Sequence, residues 1–400
     1  MEPVALSFAK VAPSIALVTE TWPPEINGVA MTLSRLAHGL SQRGWSVTLV
    51  RPRQHSQVQD AHQHILVPGL PIPGYAGLRF GLPARNTLLR LWAEQRPDVV
   101  HIATEGPLGW AALKAAKKLG IPVTTSFHTN FHRYCRHYRL GYIRRTVERY
   151  LRAFHNQASC TMTPNEPLSQ SLRQEGYRNV FTVGRGIDAS LFHPGRRSPV
   201  LRSRWGARPD DLVGIHVGRM APEKNLQAVA EAFELIAVQQ PQSVMVWVGD
   251  GPQLNVLKKR YPHHVFTGAK QGEDLAEHYA SADMFLFASM TETFGNVVLE
   301  AMSSGIAVMA YRYAAAETYI SDGQSGRLAA FGDHHAFNRH AVTLASDRAA
   351  LRSMGAAARE AMEGLLWDAV CAQFEAQLLA ATKAQVHADI HAVGSASLQT

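Results

Sequence analysis

Short runs of consecutive apolar residues alternate along this chain with stretches whose apolar positions recur every three or four residues. SIALVTE (14–20) is the first run, and SVTLVR (46–51) the second. Between them MTLSRLAHGLSQRG (31–44) places Leu33, Leu36, Ala37 and Leu40 on one helical face, and Gly44 ends it. DVVHIATE (98–105), PVTTSFH (122–128) and ASCTMTP (158–164) continue the pattern. Nearly unbroken apolar runs, rather than alternating ones, are what parallel strands covered on both faces require. The pattern then starts again. LVGIHVGR (212–219) precedes the helical LQAVAEAFELIAV (226–238), and SVMVWVGDG (243–251), HVFTG (264–268), ADMFLFAS (282–289) and IAVMAY (306–311) follow.

Two successive βα series in 400 residues predict two doubly wound α/β domains facing a central cleft. The first should span 1–192 and the second 193–365. Their junction lies in DASLFHPGRRSPVLRSRWG (188–206), which is rich in Pro, Arg and Ser. The residues after 386 are short, polar and rich in Ala, Ser and His, and are expected to fray as a flexible tail over 386–400.

Composition narrows the picture. The chain is 46% hydrophobic and 18% charged, as a globular protein is. No apolar run reaches the roughly 18 residues that span a bilayer. The N-terminus lacks a basic segment followed by a small-residue cleavage site, so no secretion signal is read there. Three widely spaced cysteines fit a reducing cytoplasm better than a disulfide framework or a metal cage. Charge is uneven. Residues 1–190 hold 22 Lys and Arg against 11 Asp and Glu, whereas the remainder holds 18 against 21. The basic first half points to an anionic partner there, or only to solubility.

The candidate chemistry follows from where open α/β sheets bind ligands, beyond the carboxyl ends of their strands. VGRMAPEKN (217–225) leaves a strand with Arg219 and Lys224 on one turn, a fork and a point charge suited to a diphosphate. A solvated loop with a local Arg–Glu pair would look the same. ETFGNVVLEAM (292–302) sits at the corresponding edge of a later strand. Thr291 or Thr293 is expected to cap a helix beginning near Gly295, leaving first-turn amides for a phosphate. Glu292, before that helix, can reach a polyol. Glu300, two turns inside an apolar helix, needs a polar partner if buried, and sugar hydroxyls would serve.

These motifs resemble the retaining glycosyltransferases of family 4. GRMAPEKN (218–225), VGDGP (248–252), SADMFLFASMTETFGNVVLEAMSSG (281–305) and SDGQSG (321–326) stand in that family's order, and the likeness covers about residues 14–380. It implies the GT-B fold of two Rossmann-like domains, with a C-terminal helix over about 366–385 crossing back to the first. It also implies a nucleotide-sugar donor as co-substrate and no metal or other cofactor. Arg219 and Lys224 would hold the donor diphosphate, Glu292 and Glu317 the donor sugar, and Glu300 the ribose. The backbone of Phe294, Gly295, Asn296 and Val297 would meet the phosphates, Lys270 would mark the nucleobase site, Gly28 the N-terminal phosphate loop, and His128 the strand end facing the sugar. Two departures bear on donor identity. Asn27-Gly28 stands where many members have Gly-Gly, and Ala314-Ala315-Ala316 where many have a glycine pair.

The acceptor is read from HTNFHRYCRHYRLGYIRRTVERYLRAFHN (128–156), with seven arginines and one glutamate. Ile143, Val147, Tyr150, Leu151 and Phe154 recur at helical spacing, and Arg144, Arg145, Arg149 and Arg152 occupy other faces. Such a helix can lie on an anionic membrane or can simply pack on its own core. The expectation is a peripheral enzyme at the cytoplasmic face of the membrane, glycosylating a lipid such as diacylglycerol from UDP-glucose, UDP-hexuronate or GDP-mannose. A soluble saccharide or metabolite acceptor remains open, as does a sugar-nucleotide epimerase, which needs no acceptor. No RNA-binding aromatic motif or zinc spacing supports a nucleic-acid partner.

Overall fold

The structure, a computed structural model, describes residues 12–25, 28–54, 61–71, 79–128 and 144–396. These residues form two compact units. The first takes those up to His128, Arg145–Val183 and Asp368 onward, and the second takes Gly184–Trp367.

In the first unit the strands are β1 (Ser14–Val18), β2 (Ser46–Pro52), β3 (Gln63–Val67), β6 (Val99–Ile102), β7 (Val123–Ser126), β8 (Cys160–Thr163) and β9 (Val180–Thr182). They make one parallel sheet in the order β3-β2-β1-β6-β7-β8-β9. A two-stranded antiparallel pair, β4 (Gly69–Pro71) and β5 (Arg79–Gly81), stands apart from it. The last helix, Trp367–Ala396, packs on this unit from Asp368 onward. Phe374 meets His101 edge-on at 4.9 Å, and Arg43 and Trp45 Nε1 both donate to the Glu375 carboxylate. Its backbone stays helical to Ala396, past the point where fraying was expected.

That helix is seated by a missing side chain. A Cβ on Gly39, in the helix Gly28–Gln42, would stand 2.2 Å from Cys371 Sγ. Gly39→Ala should therefore cost stability by overpacking, ~1–3 kcal/mol, although Ala favours helix more than Gly does. A thermal melt tests this, and an unchanged or raised midpoint would show that the contact yields freely.

In the second unit the strands are β10 (Val213–Val217), β11 (Val244–Val248), β12 (Val265–Gly268), β13 (Met284–Phe287), β14 (Ala307–Tyr311) and β15 (Arg327–Ala329). All are parallel, in the order β12-β11-β10-β13-β14-β15. Side chains alternate between two cores. Val213, Ile215, Val246, Val248, Phe285, Phe287 and Val308 enter one. Met245, Trp247, Met284, Leu286, Ala307 and Met309 enter the other. Burial on both faces is why the central strands β10, β11, β13 and β14 are almost continuously apolar, with His216 of β10 a buried exception.

The units divide after Val183, earlier than the expected 192. Ile187 donates its N–H to the Leu365 carbonyl, and Phe192 is buried in the second unit's core, so the second unit already holds the chain ahead of the prolines and arginines of 194–204.

Candidate active site

In the second sheet the order reverses between β10 and β13, and the loops leaving the carboxyl ends of those two strands converge. Residues 222–224 form one 3-10 turn, which Asn225 closes in the left-handed region (φ 52°). Met290 donates its N–H to the Glu223 carbonyl at 2.9 Å, fastening the second loop to the first. Lys224 Nζ forms an ion pair with Glu292 Oε1, and both side chains are largely buried. Lys224 also lies over the Phe287 ring, 5.9 Å from its centre. Arg219 is more exposed, 4.0 Å from Glu223. Arg219, Lys224 and Glu292 thus lie on two loops tied to each other. The direct Lys224–Glu292 contact was not foreseen, because 68 residues separate them.

VGDGP is rigid for a backbone reason. A Cβ on Gly249, whose φ is +141°, would stand 1.9 Å from the Gly218 carbonyl oxygen. Met220 N–H donates to Asp250 O, and Gln253 N–H to Met220 O, each at 2.9 Å. The loop after β11 is therefore zipped onto the loop that carries Arg219.

The helix beyond β13 runs Asn296–Ser303, with Gly295 at its start (φ +95°). The N-cap position itself is taken by Gly295, not by Thr291 or Thr293. Gly295 supplies the sharp entry that a threonine backbone would resist, and so takes the position that a capping side chain would need. Phe294 is buried against Tyr319, and Asn296 and Val297 open the first turn. Tyr313, missed in the sequence, anchors Glu292 by donating its hydroxyl proton to the Glu292 carbonyl at 2.7 Å. Ala314 adopts φ +55°, the region glycine occupies without strain, which costs an L-residue ~1–2 kcal/mol. Its neighbour Ala315 donates to Phe294 O at 2.8 Å. Glu317 is exposed on the short helix Ala314–Tyr319.

Glu300 already has a protein partner. Burial pushes its carboxyl up to about 7, against the Tyr279 hydroxyl, which donates to Oε2 at 2.9 Å and lowers it. Tyr279 carried no motif signal and was also missed. Lys270, beyond β12, pairs with Asp274 at 2.9 Å.

The remaining expected residues lie on the first unit. Gly28 opens the helix Gly28–Gln42, and its carbonyl accepts the Thr32 hydroxyl. His128 is buried just past β7. Glu20, past β1, is pushed up to about 7 by burial, opposed by the Gly81 amide and, more weakly, the Leu108 amide in the first turn of the helix Pro107–Lys118. The helix Arg144–His155 turns part of its apolar stripe inward. Leu151 and Phe154 of its apolar stripe are buried in the unit's own cores, and Val147 packs against one of them. Arg152 spends a donor on the Glu175 carbonyl at 2.8 Å. Arg145 and Arg149 are exposed. The Arg144 side chain, Asn27, and the arginines and tyrosines between 129 and 143 lie outside the described residues.

Among the described residues one cluster has the composition of a metal site: Glu234, His263 and His264. Its chemistry opposes the assignment. Trp247 Nε1–H donates to His264 Nδ1 at 3.1 Å, so the ring proton of neutral His264 sits on Nε2 and is donated to Glu234 Oε1 at 2.9 Å. A cation at Nε2 would need the proton moved to Nδ1, where it would face the indole N–H. The cluster also stands before β12, at the opposite end of the sheet from the loops above.

The comparisons with known proteins agree with this geometry. Residues 26–191 match the model described as Glycosyltransferase Family 4, and residues 198–361 that described as Glycosyl transferases group 1. The chain is 30% identical over 366 residues to a GDP-mannose-dependent alpha-mannosyltransferase of Corynebacterium glutamicum, covering 90% of this chain and 87% of that one. It is 28% identical to an alpha-monoglucosyldiacylglycerol synthase of Streptococcus pneumoniae, covering 80% and 76%. A solved sucrose-phosphate synthase from Thermosynechococcus elongatus superposes with a TM-score of 0.75 at 18% identity, over 92% of this chain and all of that one, which bears on fold alone. The fold and the paired loops define a GT-B glycosyltransferase that uses a nucleotide sugar. The chain belongs to the family 4 glycosyltransferases.

Proposed function

We propose that this enzyme moves a hexosyl group from a nucleotide diphosphate sugar to a hydroxyl of a membrane lipid, with retention and without a metal. The observation that carries the reading is the gathering of Arg219, Lys224 and Glu292 on two tied loops at one sheet reversal. The bond between the anomeric carbon and the diphosphate oxygen breaks as the acceptor oxygen approaches the same face of the sugar. The acceptor proton passes to the departing phosphate oxygen. Negative charge grows on the diphosphate, where Arg219, Lys224 and the first-turn amides of Asn296–Ser303 are placed to stabilise it. Two fixed cations supply what a divalent ion would otherwise supply. Glu292 accepts hydroxyls of the sugar and Glu300 those of the ribose. For Gly28, His128, Lys270 and Glu317 the family resemblance is the support.

Two observations favour a lipid acceptor. One relative is named for diacylglycerol, and Arg145 and Arg149 remain exposed on a basic unit. Among the described residues no helix is long and apolar enough to cross a membrane, so contact with lipid would be peripheral. The test is radiolabelled UDP-glucose, UDP-glucuronate and GDP-mannose, each offered with total membrane lipid in the presence of EDTA. Label extracted with the lipid is expected. Label found only in water-soluble saccharide would transfer the case to a soluble acceptor, and donor isomerised without acceptor to an epimerase. Activity lost to EDTA and restored by a divalent ion would overturn the metal-free mechanism.

Glu300→Ala should weaken binding of the nucleoside diphosphate by ~1.5–3 kcal/mol, the value of a hydrogen bond to a charged acceptor. Because burial holds the Glu300 carboxyl near 7, the charged acceptor is lost as pH falls through 7 and gained as it rises. Wild-type affinity should climb more steeply between about pH 6 and 8 than the variant's, whose rise is only that of the ionising terminal phosphate. Calorimetry across that range is the check, and parallel curves would refute the role.

A further inference from the structure

Tyr279 lies in the helix Gly272–Ser281 with its ring fully buried in the second unit's core. A buried phenol needs a partner for its single proton. Two oxygens are in range: Glu300 Oε2 at 2.9 Å and the Val297 carbonyl at 3.4 Å. The shorter, charge-assisted bond takes the proton. Oε2 is thereby occupied, while among the described residues Oε1 accepts no hydrogen bond.

We propose that Tyr279 is a positioning residue for nucleotide binding: its hydroxyl clamps Oε2 of Glu300 and leaves Oε1 directed to the ribose diol. The inference rests on the reading of Glu300 as the ribose ligand. A carboxylate on a side chain with three torsions would otherwise sample several orientations. The clamp removes that freedom before the nucleotide arrives, as preorganised sites do.

The clamp also sets the pH range in which the ribose is read. Donation from Tyr279 favours the charged carboxylate, and burial opposes it. Several other ionisable groups on the elements packed around Asn296–Ser303 are engaged elsewhere or exposed. Arg359 donates to the carbonyls of Ser303 and Phe192, Tyr311 meets His334 at 3.2 Å, Asp274 is shared by Lys270 and His278, and Glu317 is exposed. Tyr279 is the side chain that faces the carboxylate.

The experiment compares UDP and GDP with their 2′,3′-dideoxy forms, by calorimetry from pH 6 to 9. Wild type should prefer the ribose form, increasingly so as pH passes about 7. Glu300→Gln should lose the pH dependence of that preference. Tyr279→Phe should keep the fold, lower the preference about tenfold at pH 7 for the lost hydrogen bond, and move the midpoint of its pH dependence upward. In the Glu300→Gln background Tyr279→Phe should shift no midpoint. A wild type that does not distinguish ribose from dideoxyribose defeats the ribose reading itself. A Tyr279→Phe variant with wild-type preference and midpoint, beside a Glu300→Gln variant that has lost them, defeats the clamp alone. Should the phenylalanine variant fail to fold, carbon-13 labelling of the tyrosine ζ position in the intact enzyme decides. The Tyr279 resonance should titrate with the Glu300 midpoint and move on UDP addition, and a resonance indifferent to both would overturn the proposal.

Discussion

Arg219→Ala and Lys224→Ala are each expected to lower turnover ~10²–10³-fold at saturating donor, the range seen when one electrostatic stabiliser of developing charge is removed. The two should differ in what else they cost. Arg219 is 37% exposed and its ion contact to Glu223 is 4.0 Å long, so its loss should move the melting temperature less than the loss of Lys224 does. Lys224 is 17% exposed and paired with Glu292, which would be left as a largely buried, uncompensated charge. Its variant should lose both stability and rate. Arg219→Lys should fall between wild type and Arg219→Ala, because an ammonium restores the charge but not the two-pronged donation. In the proposed mechanism both cations act on one diphosphate, so the double variant should lose less than the product of the two single losses. The measurement is single-turnover transfer beside a thermal melt. An Arg219→Ala enzyme that turns over at the wild-type rate would remove the residue from the mechanism.

Glu292→Gln is expected to act in opposite directions on binding and on catalysis. Without donor, Glu292 occupies the Lys224 ammonium that a diphosphate would need. Removing the carboxylate charge should tighten binding of the bare nucleoside diphosphate about tenfold, a modest share of the coupling found for close charge pairs. Transfer from the nucleotide sugar should nonetheless slow ~10–100-fold, since the sugar hydroxyls lose a charged acceptor worth ~1.5–3 kcal/mol. Tight product combined with slow transfer is a signature that a merely destabilised loop would not produce. Weaker diphosphate binding would show that the Lys224–Glu292 pair holds the loop in shape rather than competing with the ligand.

The strands of the two parallel sheets that the pattern missed all lie at sheet edges, although the edge strand β12 was found. Central strands such as β13 and β14 are buried on both faces, and their unbroken apolar runs were plain. β3, β9 and β15 are edge strands of three to five residues with polar or exposed positions, as at Gln63, Phe181 and Arg327. An edge strand answers to one neighbour, so its composition is weakly constrained. The candidate site was legible to the same degree. Arg219, Lys224 and Glu292 stand at strand ends and before helix starts, and Glu300 is a lone acid inside an apolar helix, so local order along the chain marks them. Tyr279 and Tyr313 each act on a glutamate 21 residues away, and no spacing announces such a pair.

By itself the sequence determined two βα series, the loops that leave their strands, and the residue types those loops carry. Periodicity encodes which positions must be buried and motifs encode local turns, and both are properties of neighbours along the chain. Tertiary structure alone decided which partner each buried or charged group meets. The apolar stripe of Arg144–His155 could have faced lipid or core, and it faced the core because its own sheet offered the surface to bury Leu151 and Phe154. Glu300 required some polar partner, and the helix Gly272–Ser281 brought Tyr279 to it. Lys224 and Glu292 meet because two loops converge at a sheet reversal, and that convergence depends on strand order, which pairwise hydrogen bonding between distant segments sets.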